Sequence, residues 1–596
     1  MIRCTLVLSL TCTLVLMIYP SSTGAWNVAN TPPMGFNTWN LYACSVDADI
    51  LMGTATAMVS TGLAKAGYEY VNSDDCWMLA TRDSQGRQIA NPTKFPNGFA
   101  NVTAYIHSLG LKSGLYTAKG PTTCAGFAAS CDHEVTDAKQ WADWGIDYVK
   151  DDSCSQCGSY TDDQIYNRMW LAIQAAGRPM VLTMEGNPTD SLINKGGYGN
   201  AKRVGNDINP HWMSMVSLID TGSGLWPYAH YSTDPTYGGW WNDLDMIEVG
   251  NGPDFLCGQD AEALARCRTH FAMWTIMKAP LILGNDLRKM DADTLAVLSN
   301  PRAISINQDA LGIQARRVAV QYPANLSLSG PDVLAVVAKC DPSRSTQTWF
   351  FANVANASAP PGGLLQTIDN TSETKWCMLP SIPTWGYWGE GIWRAEVCPS
   401  DPDSSLLFFA QGPGGAGVKN YTINSANLTG SGSLKGFGWS NQLGASGPWP
   451  HARYVADRDT QVQTLNSNVF LLDLSAASDP SKGSRIQAAD TTGILDDDLV
   501  GNVAKGGTFC LDLIPGGMLE VWAGPLTGGR IAVALFNRSP TMGTVVAQWG
   551  SIGARDGVKY TAMDVWTGND LGVFEGSFSA EVAPRNVQYA ILSPVA

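Results

Sequence analysis

Histidine is scarce in this chain of 596 residues, at six. Its C-x-x-C, Cys154-Ser155-Gln156-Cys157, has no second such pair to complete a zinc site. Positive charge is also in deficit: 38 Lys and Arg stand against 53 Asp and Glu, a formal net charge of −15. A surface of that sign repels phosphate backbones and anionic lipid headgroups, so neither nucleic acid nor a membrane surface is expected as a partner. It suits a neutral ligand and an acidic working compartment, although charge alone decides neither. Beyond the first 25 residues no stretch is long and apolar enough to cross a bilayer. No G-x-G-x-x-G follows the first strand-like run, which counts against a nucleotide-binding doubly wound sheet. A nucleophilic serine elbow and a cysteine–histidine pair are missing as well, and nothing in the sequence calls for a metal or cofactor.

What is there begins at the N-terminus. Arg3 precedes an apolar run from Leu6 to Tyr19, and small residues follow up to Ala25. Residues 1–25 therefore have the form of a secretory signal peptide. Of 14 cysteines, Cys4 and Cys12 fall in that segment, leaving twelve, an even number that suits disulfides in an oxidising lumen. N-x-S/T acceptors stand at Asn101, Asn325, Asn356, Asn370, Asn420 and Asn427, with a weaker one at Asn537. Secretion or delivery to a lysosome or vacuole is the expected destination. The sequence does not choose between them, nor does it give an oligomeric state.

From Pro32 to about Ile313, short apolar runs alternate with segments of helical periodicity. The runs include Tyr68–Asp74, Gly110–Tyr116, Gly145–Asp152, Pro179–Glu185 and Pro280–Asn285. Alternation sustained over about 280 residues predicts a (β/α)8 barrel, placed at 26–315. After it, Gly, Ser, Pro, Thr and Asn rise and helical periodicity fades, so an all-β region is expected. Residues 322–516 form a β-rich insertion, and 316–321 with 517–596 form a C-terminal antiparallel β-sandwich around it.

Polar and acidic residues stand at the C-terminal ends of nearly all the proposed barrel strands. They are Asp74-Asp75, Lys150-Asp151-Asp152, Glu185, Arg203 to Asp207, Asp243-Leu244-Asp245 and Asn285-Asp286. A barrel builds its active site at that face, whereas carboxylates serving solubility would mostly lie on helix surfaces. The competing explanation is a structural ion-pair network with Lys150 and Arg203. Carboxylates without a metal signature suit glycosidic chemistry, in which one ionised acid attacks and another donates a proton. Strand alternation puts Lys150 and Asp152 on one side and Asp151 on the other. A lysine beside Asp152 would favour its ionised form.

Five motifs then carry a resemblance: Thr31–Trp39, Asp74–Trp77, Trp144–Lys150, Trp241–Met246 and Ser305–Gly312. In this order and spacing they resemble glycoside hydrolase family 27, which contains α-galactosidases and α-N-acetylgalactosaminidases. The resemblance runs from Pro32 to about Val318 and returns from Leu519 to the end. It implies a TIM barrel with a C-terminal β-sandwich, retaining double-displacement hydrolysis, and a small carbohydrate or glycoconjugate as substrate. It also implies Asp152 as nucleophile and Asp207 as acid/base, their carboxyls roughly 5–5.5 Å apart. Trp39, Asp74, Asp75, Tyr116, Lys150, Arg203 and Asp245 become the sugar contacts, with disulfides Cys44–Cys76 and Cys124–Cys154 bracing the mouth. Cys131–Cys157 and Cys257–Cys267 are suggested for four of the others.

The chain departs from the family pattern in three places. Asp151 replaces an aromatic beside the nucleophile, where it either faces a polar pocket or perturbs Asp152. The specificity strand reads Thr183-Met184-Glu185-Gly186-Asn187-Pro188. Glu185 favours galactose, because its carboxylate accepts from the 2-hydroxyl and would collide with an N-acetyl group. Loss of the usual tryptophan after it leaves β-L-arabinopyranose open, with an α-N-acetylgalactosaminidase as a further alternative. The third departure is 322–516, with Trp349, Trp376, Trp385, Trp388, Trp393, Trp439 and Trp449 and the cysteines Cys340, Cys377, Cys398 and Cys510. These tryptophans suit the core of a small β domain better than a carbohydrate-binding face. Gln347-Thr348-Trp349 and Phe509–Asp512 hint weakly at a β-trefoil lectin. The rival class as a whole is an inactive sugar-binding protein, against which both candidate catalytic aspartates stand.

Overall fold

The strand-like runs of the first half become eight parallel strands in a computed structural model. It describes residues 28–185, 198–229, 238–321, 519–539 and 541–595, and the backbone of strands between 333 and 515. Outside the described residues lie the signal segment, the tryptophan and cysteine side chains of 322–516, the acceptors Asn325 to Asn427, and Gly186-Asn187-Pro188.

The strands are β1 (Met34–Asn37), β2 (Tyr70–Asn72), β3 (Lys112–Ala118), β4 (Tyr148–Asp152), β5 (Val181–Met184), β6 (Ala201–Arg203), β7 (Trp241–Asp243) and β8 (Leu281–Leu283). They lie in the order β8-β1-β2-β3-β4-β5-β6-β7. The two ends of this sheet meet at a parallel bridge between Ile247 and Leu283, which curls it into a barrel. Residues on β1, β5 and β8 are buried on both faces, and the apolar content of those runs follows from that. At Gly114 on β3 a Cβ would stand 2.0 Å from Oδ1 of Asn72, so only glycine lets β2 and β3 carry these neighbours.

Helices cover the outside: α1 (Ala48–Ser60), α2 (Phe99–Ser108), α3 (Glu134–Trp144), α4 (Asp162–Ala176), α5 (Trp212–Ser223), α6 (Ala261–Ile276), α7 (Ala292–Leu298) and α8 (Pro301–Asn307). Local sequence fixes their ends. Thr161 and Gln164 form a reciprocal capping box on α4, and Asp260 caps α6 by accepting from the Ala263 N–H at 2.7 Å. No helix among the described residues is long and apolar enough to cross a membrane.

The C-terminal region is antiparallel. It contains β9 (Arg316–Gln321), β10 (Leu519–Leu526), β11 (Arg530–Asn537), β12 (Gly543–Gln548), β13 (Tyr560–Asp564), β14 (Asp570–Phe574), β15 (Ser577–Val582) and β16 (Asn586–Pro594). Six strands run β9-β10-β11-β16-β13-β14, and β12 pairs with β15. Val521, Val533, Leu535, Val545, Phe578 and Leu592 fill the space between the two layers. The opposite side of the larger sheet packs on the barrel, where Trp522, Phe536 and Tyr589 join its core. Charge is buried at this seam too. Arg317 and Arg538 each contact both Asp220 on α5 and Glu520 on β10, at 2.7–2.9 Å. Asn537 is wholly buried, and its amide donates to the carbonyls of Thr541 and Val582. That corrects the expectation of a glycan acceptor there, since hydrogen bonding and burial occupy the side chain.

Between β9 and β10 the chain makes a separate 14-stranded antiparallel sheet. Its first strand, Val333–Lys339, pairs along its length with its last, Phe509–Pro515. Gln321 and Leu519, at the root of the insertion, are themselves cross-strand partners.

Candidate active site

Each candidate side chain leaves the C-terminal end of a barrel strand or the loop just after it. Lys150 and Asp152 close β4, Glu185 follows β5, Arg203 ends β6, and Asp74 follows β2. These positions converge on one chain of ion pairs. Lys150 Nζ lies 2.8 Å from Asp74 Oδ2 and 3.1 Å from Glu185 Oε1. Arg203 Nη1 reaches the same Glu185 oxygen at 3.1 Å, while its Nη2 contacts Asp207 at 2.9 Å and Asp245 at 3.0 Å. A small pocket beside these ion pairs is lined by Lys150, Glu185, Arg203, Asp243 and Asp245, together with Asn37, Asn72, Tyr148 and Thr183, and neither Asp152 nor Asp207 lines it.

Asp152 accepts from the Tyr116 hydroxyl and from the Ser153 N–H, both at 2.5 Å. The Cys124–Cys154 disulfide lies against it, with Cys124 Sγ 3.6 Å from Asp152 Oδ2. Cys44–Cys76, Cys131–Cys157 and Cys257–Cys267 are also bonded. Cys44–Cys76 ties the loop after β1 to the loop after β2. Asp75 turns from the ion-pair chain and accepts from the Ala125 and Cys76 N–H groups, at 3.0 and 2.6 Å. Trp39 is half-buried, and its backbone N–H donates to Asn37 Oδ1. Asp207 is the open member of the set, its side chain 63% exposed.

The electrostatics divide the carboxyls. Burial opposes ionisation of Glu185, but Lys150 and then Arg203 outweigh it and hold the group down at about 2. Burial, and then the negative charge of Glu185, push the Asp152 carboxyl well above the usual range, against Lys150 and Tyr116. Lys150 does favour the Asp152 anion, as expected from the sequence, but burial and Glu185 act more strongly in the other direction. Its ammonium is paired with Asp74 and Glu185, at 2.8 and 3.1 Å, and the Asp152 and Glu185 carboxyls titrate as a coupled pair.

Asp243 and Glu248 were not assigned roles from the sequence, and Asp245, expected as a sugar contact, has a further one. Asp243 is only partly exposed, lines the pocket, and orients the next loop by accepting from the Asp245 N–H at 2.8 Å. Asp245 sits at φ 74°, a backbone region unfavourable for a side chain with a Cβ. Its carboxylate braces the Asp207 loop by accepting from the Ile208 N–H at 2.7 Å. Burial foremost raises Asp245 to about 6, with Arg203 opposing. Glu248 is buried against the amides of Asn40 and Asn251, and burial raises it to about 7. The Asp243-Leu244-Asp245 spacing was the available signal for the first; nothing local marked Glu248.

The family described as alpha galactosidase A matches residues 31–309, and the alpha galactosidase C-terminal beta sandwich domain matches 516–592. An α-galactosidase of Cyamopsis tetragonoloba is 38% identical over 332 residues, covering 55% of this chain and 77% of that protein. One from Oryza sativa subsp. japonica is 40% identical over 293 residues, 49% of this chain and 66% of its own. Among solved structures, α-galactosidase I of Mortierella vinacea superposes with a TM-score of 0.57 at 22% identity, covering 96% and 98% of the two chains. The α-galactosidase of Saccharomyces cerevisiae with raffinose gives 0.59 at 18% identity, covering 96% and 99%. At such identities these two share the fold. The extent of the sequence match to the curated relatives shows that the chain belongs to the α-galactosidase family of glycoside hydrolases.

Proposed function

We propose that this protein is a retaining exo-α-galactosidase that removes terminal α-D-galactosyl residues from oligosaccharides or glycoconjugates. The observation that carries the choice of sugar is Glu185, whose Oε1 is held 3.1 Å from both Lys150 Nζ and Arg203 Nη1. A carboxylate fixed by two cations accepts a hydrogen bond from a 2-hydroxyl and leaves no room for an N-acetyl group there. Asp74 and Lys150 supply an acceptor and a donor for further ring hydroxyls, and Tyr116 orients Asp152.

In this reaction Asp152 attacks the anomeric carbon while Asp207 gives its proton to the departing glycosidic oxygen. Water then enters from the leaving-group side, Asp207 takes its proton, and the bond to Asp152 breaks. Asp207 suits that second role because its carboxylate is open to solvent yet tied to Arg203. Asp152 must lose its proton before attack, and a bound sugar that engages Glu185 and Lys150 changes the balance of the pair. The four disulfides fit maturation in an oxidising compartment, in keeping with entry to the secretory pathway.

The test is hydrolysis of nitrophenyl α-D-galactopyranoside beside the α-N-acetylgalactosaminide and the β-L-arabinopyranoside at acidic pH. Preference for the galactoside is expected, with Asp152→Asn lowering kcat by roughly 10³-fold or more while the melting temperature holds. A preference for the α-N-acetylgalactosaminide would overturn the role given to Glu185, whereas a preference for the arabinoside would keep the mechanism and overturn the sugar. A nearly normal Asp152→Asn would remove that residue as nucleophile.

A further inference from the structure

Asp151 is the carboxyl on β4 that the proposed reaction does not use. Strand alternation turns it away from Lys150 and Asp152, and it is wholly buried. Neither carboxyl oxygen has a hydrogen-bond partner among the described residues. Its charged and titratable neighbours come from every element packed around it. Asp152 is next to it on β4, and Glu185 follows β5. Glu134 opens α3, with Oε2 bonded to Arg168 at 3.0 Å and Oε1 without a partner among the described residues. Tyr166 comes from α4, its ring flanked by the ammonium groups of Lys119 and Lys202. Lys119, the cation that acts on Asp151, is paired with Asp162 at 2.5 Å.

An ionised carboxylate at this position would be a buried charge with no partner, whereas a neutral one is tolerated. We propose that Asp151 is a positioning residue that sets the alkaline limit of the reaction, holding β4 and its nucleophile in place only in its neutral form. The inference rests on the assignment of Asp152 as nucleophile. Burial first, then Asp152 and Glu134, push the Asp151 carboxyl well above the usual range, so the folded protein keeps a proton that the unfolded chain has lost. The native state then binds more protons than the unfolded one, and stability falls as pH rises above the ordinary carboxylate range. When Asp151 finally ionises, the charge must be hydrated, and this loosens the packing of α3 and α4 on the strand that carries Asp152.

The experiment compares wild type with Asp151→Asn and Asp151→Tyr, following kcat/KM for the nitrophenyl galactoside and melting temperature, both against pH. Both variants should keep their acid-side activity. They should retain roughly three- to tenfold more of the maximal rate about one pH unit above the wild-type alkaline midpoint, and a shallower limb. Their melting temperatures should decline less between acidic and neutral pH. If Asp151→Asn does not fold, Asp151→Tyr decides alone. Alkaline limbs and melting profiles that superimpose on wild type would overturn the proposal. A wild type silent on galactosides would overturn the functional assignment instead, while the melting profiles would still test the role of Asp151 in β4.

Discussion

At the scale of the residue, the site depends on how one proton is divided between two acids. Glu185 is ionised because two cations hold it, and its charge is a principal reason why Asp152 resists ionisation. The nucleophile works only as the anion, so the acid limb of kcat/KM should report the pair rather than either member. Removing the Glu185 charge lets Asp152 ionise at lower pH. Glu185→Gln is therefore expected to move the acid limb downward while lowering kcat/KM through its lost contact to the sugar. A pH–rate profile with an unmoved acid limb would show that the two carboxyls are not coupled. Much of this site could be named from sequence, because acids and cations at strand ends are visible there. The division of charge could not. It depends on Lys150 spending its ammonium on Asp74, 76 positions away, and on Glu185. Likewise Glu248 meets Asn40 across 208 positions, a contact that only barrel closure creates.

At the scale of the element, strands do most of the positioning. Side chains alternate across β4, which is why adjacent residues meet opposite fates: Asp152 faces the substrate side and Asp151 faces the helices. This alternation was legible in three letters, as was strand–helix alternation over the whole first half. The left-handed backbone at Asp245 was not, since aspartate tolerates φ 74° without requiring it. The Asp243 carboxylate and the Arg203 ion pair hold it there. Glycine matters for the converse reason at Gly114. A methyl group would meet Oδ1 of Asn72, a residue lining the pocket, and Cβ of Tyr148, another of its walls, at 2.0 and 2.8 Å. Gly114→Ala must therefore push β2 and β4 apart. It is expected to cost about 1–3 kcal/mol in chemical denaturation, with a loss of kcat larger than the change in KM. A fully active variant of unchanged stability would mean that the strands yield freely.

At the scale of the whole molecule, barrel and sandwich are joined by an apolar face and by Arg317 and Arg538, which share Asp220 and Glu520. Four buried charges of balanced sign add little net stability compared with apolar packing. Their geometry nevertheless accepts only one docking position, because a shift of an ångström or two would strand charges in a dry seam. The composition change after Ile313 marked where the β region starts. It did not disclose that β9 belongs to the same sheet as strands two hundred positions later, since a ladder between distant segments leaves no periodic trace in either one.

The pairing of Gln321 with Leu519 carries a consequence for how such a chain could have been assembled. The 14-stranded unit leaves the sandwich between two residues that already face each other across a ladder, and its own terminal strands run side by side. Genetically, the segment is a cassette with both cut ends at one spot. Replacing 322–518 by Asn-Gly, a turn that suits a two-residue hairpin, would rejoin β9 to β10 next to an existing pair of their ladder. The shortened enzyme should fold, melt cooperatively and keep kcat on the nitrophenyl galactoside within about threefold of the full chain. Any large loss would fall instead on extended natural substrates, if the cassette helps to bind them. Lineages could then gain or discard this segment in one step, leaving the catalytic machinery to evolve on its own schedule.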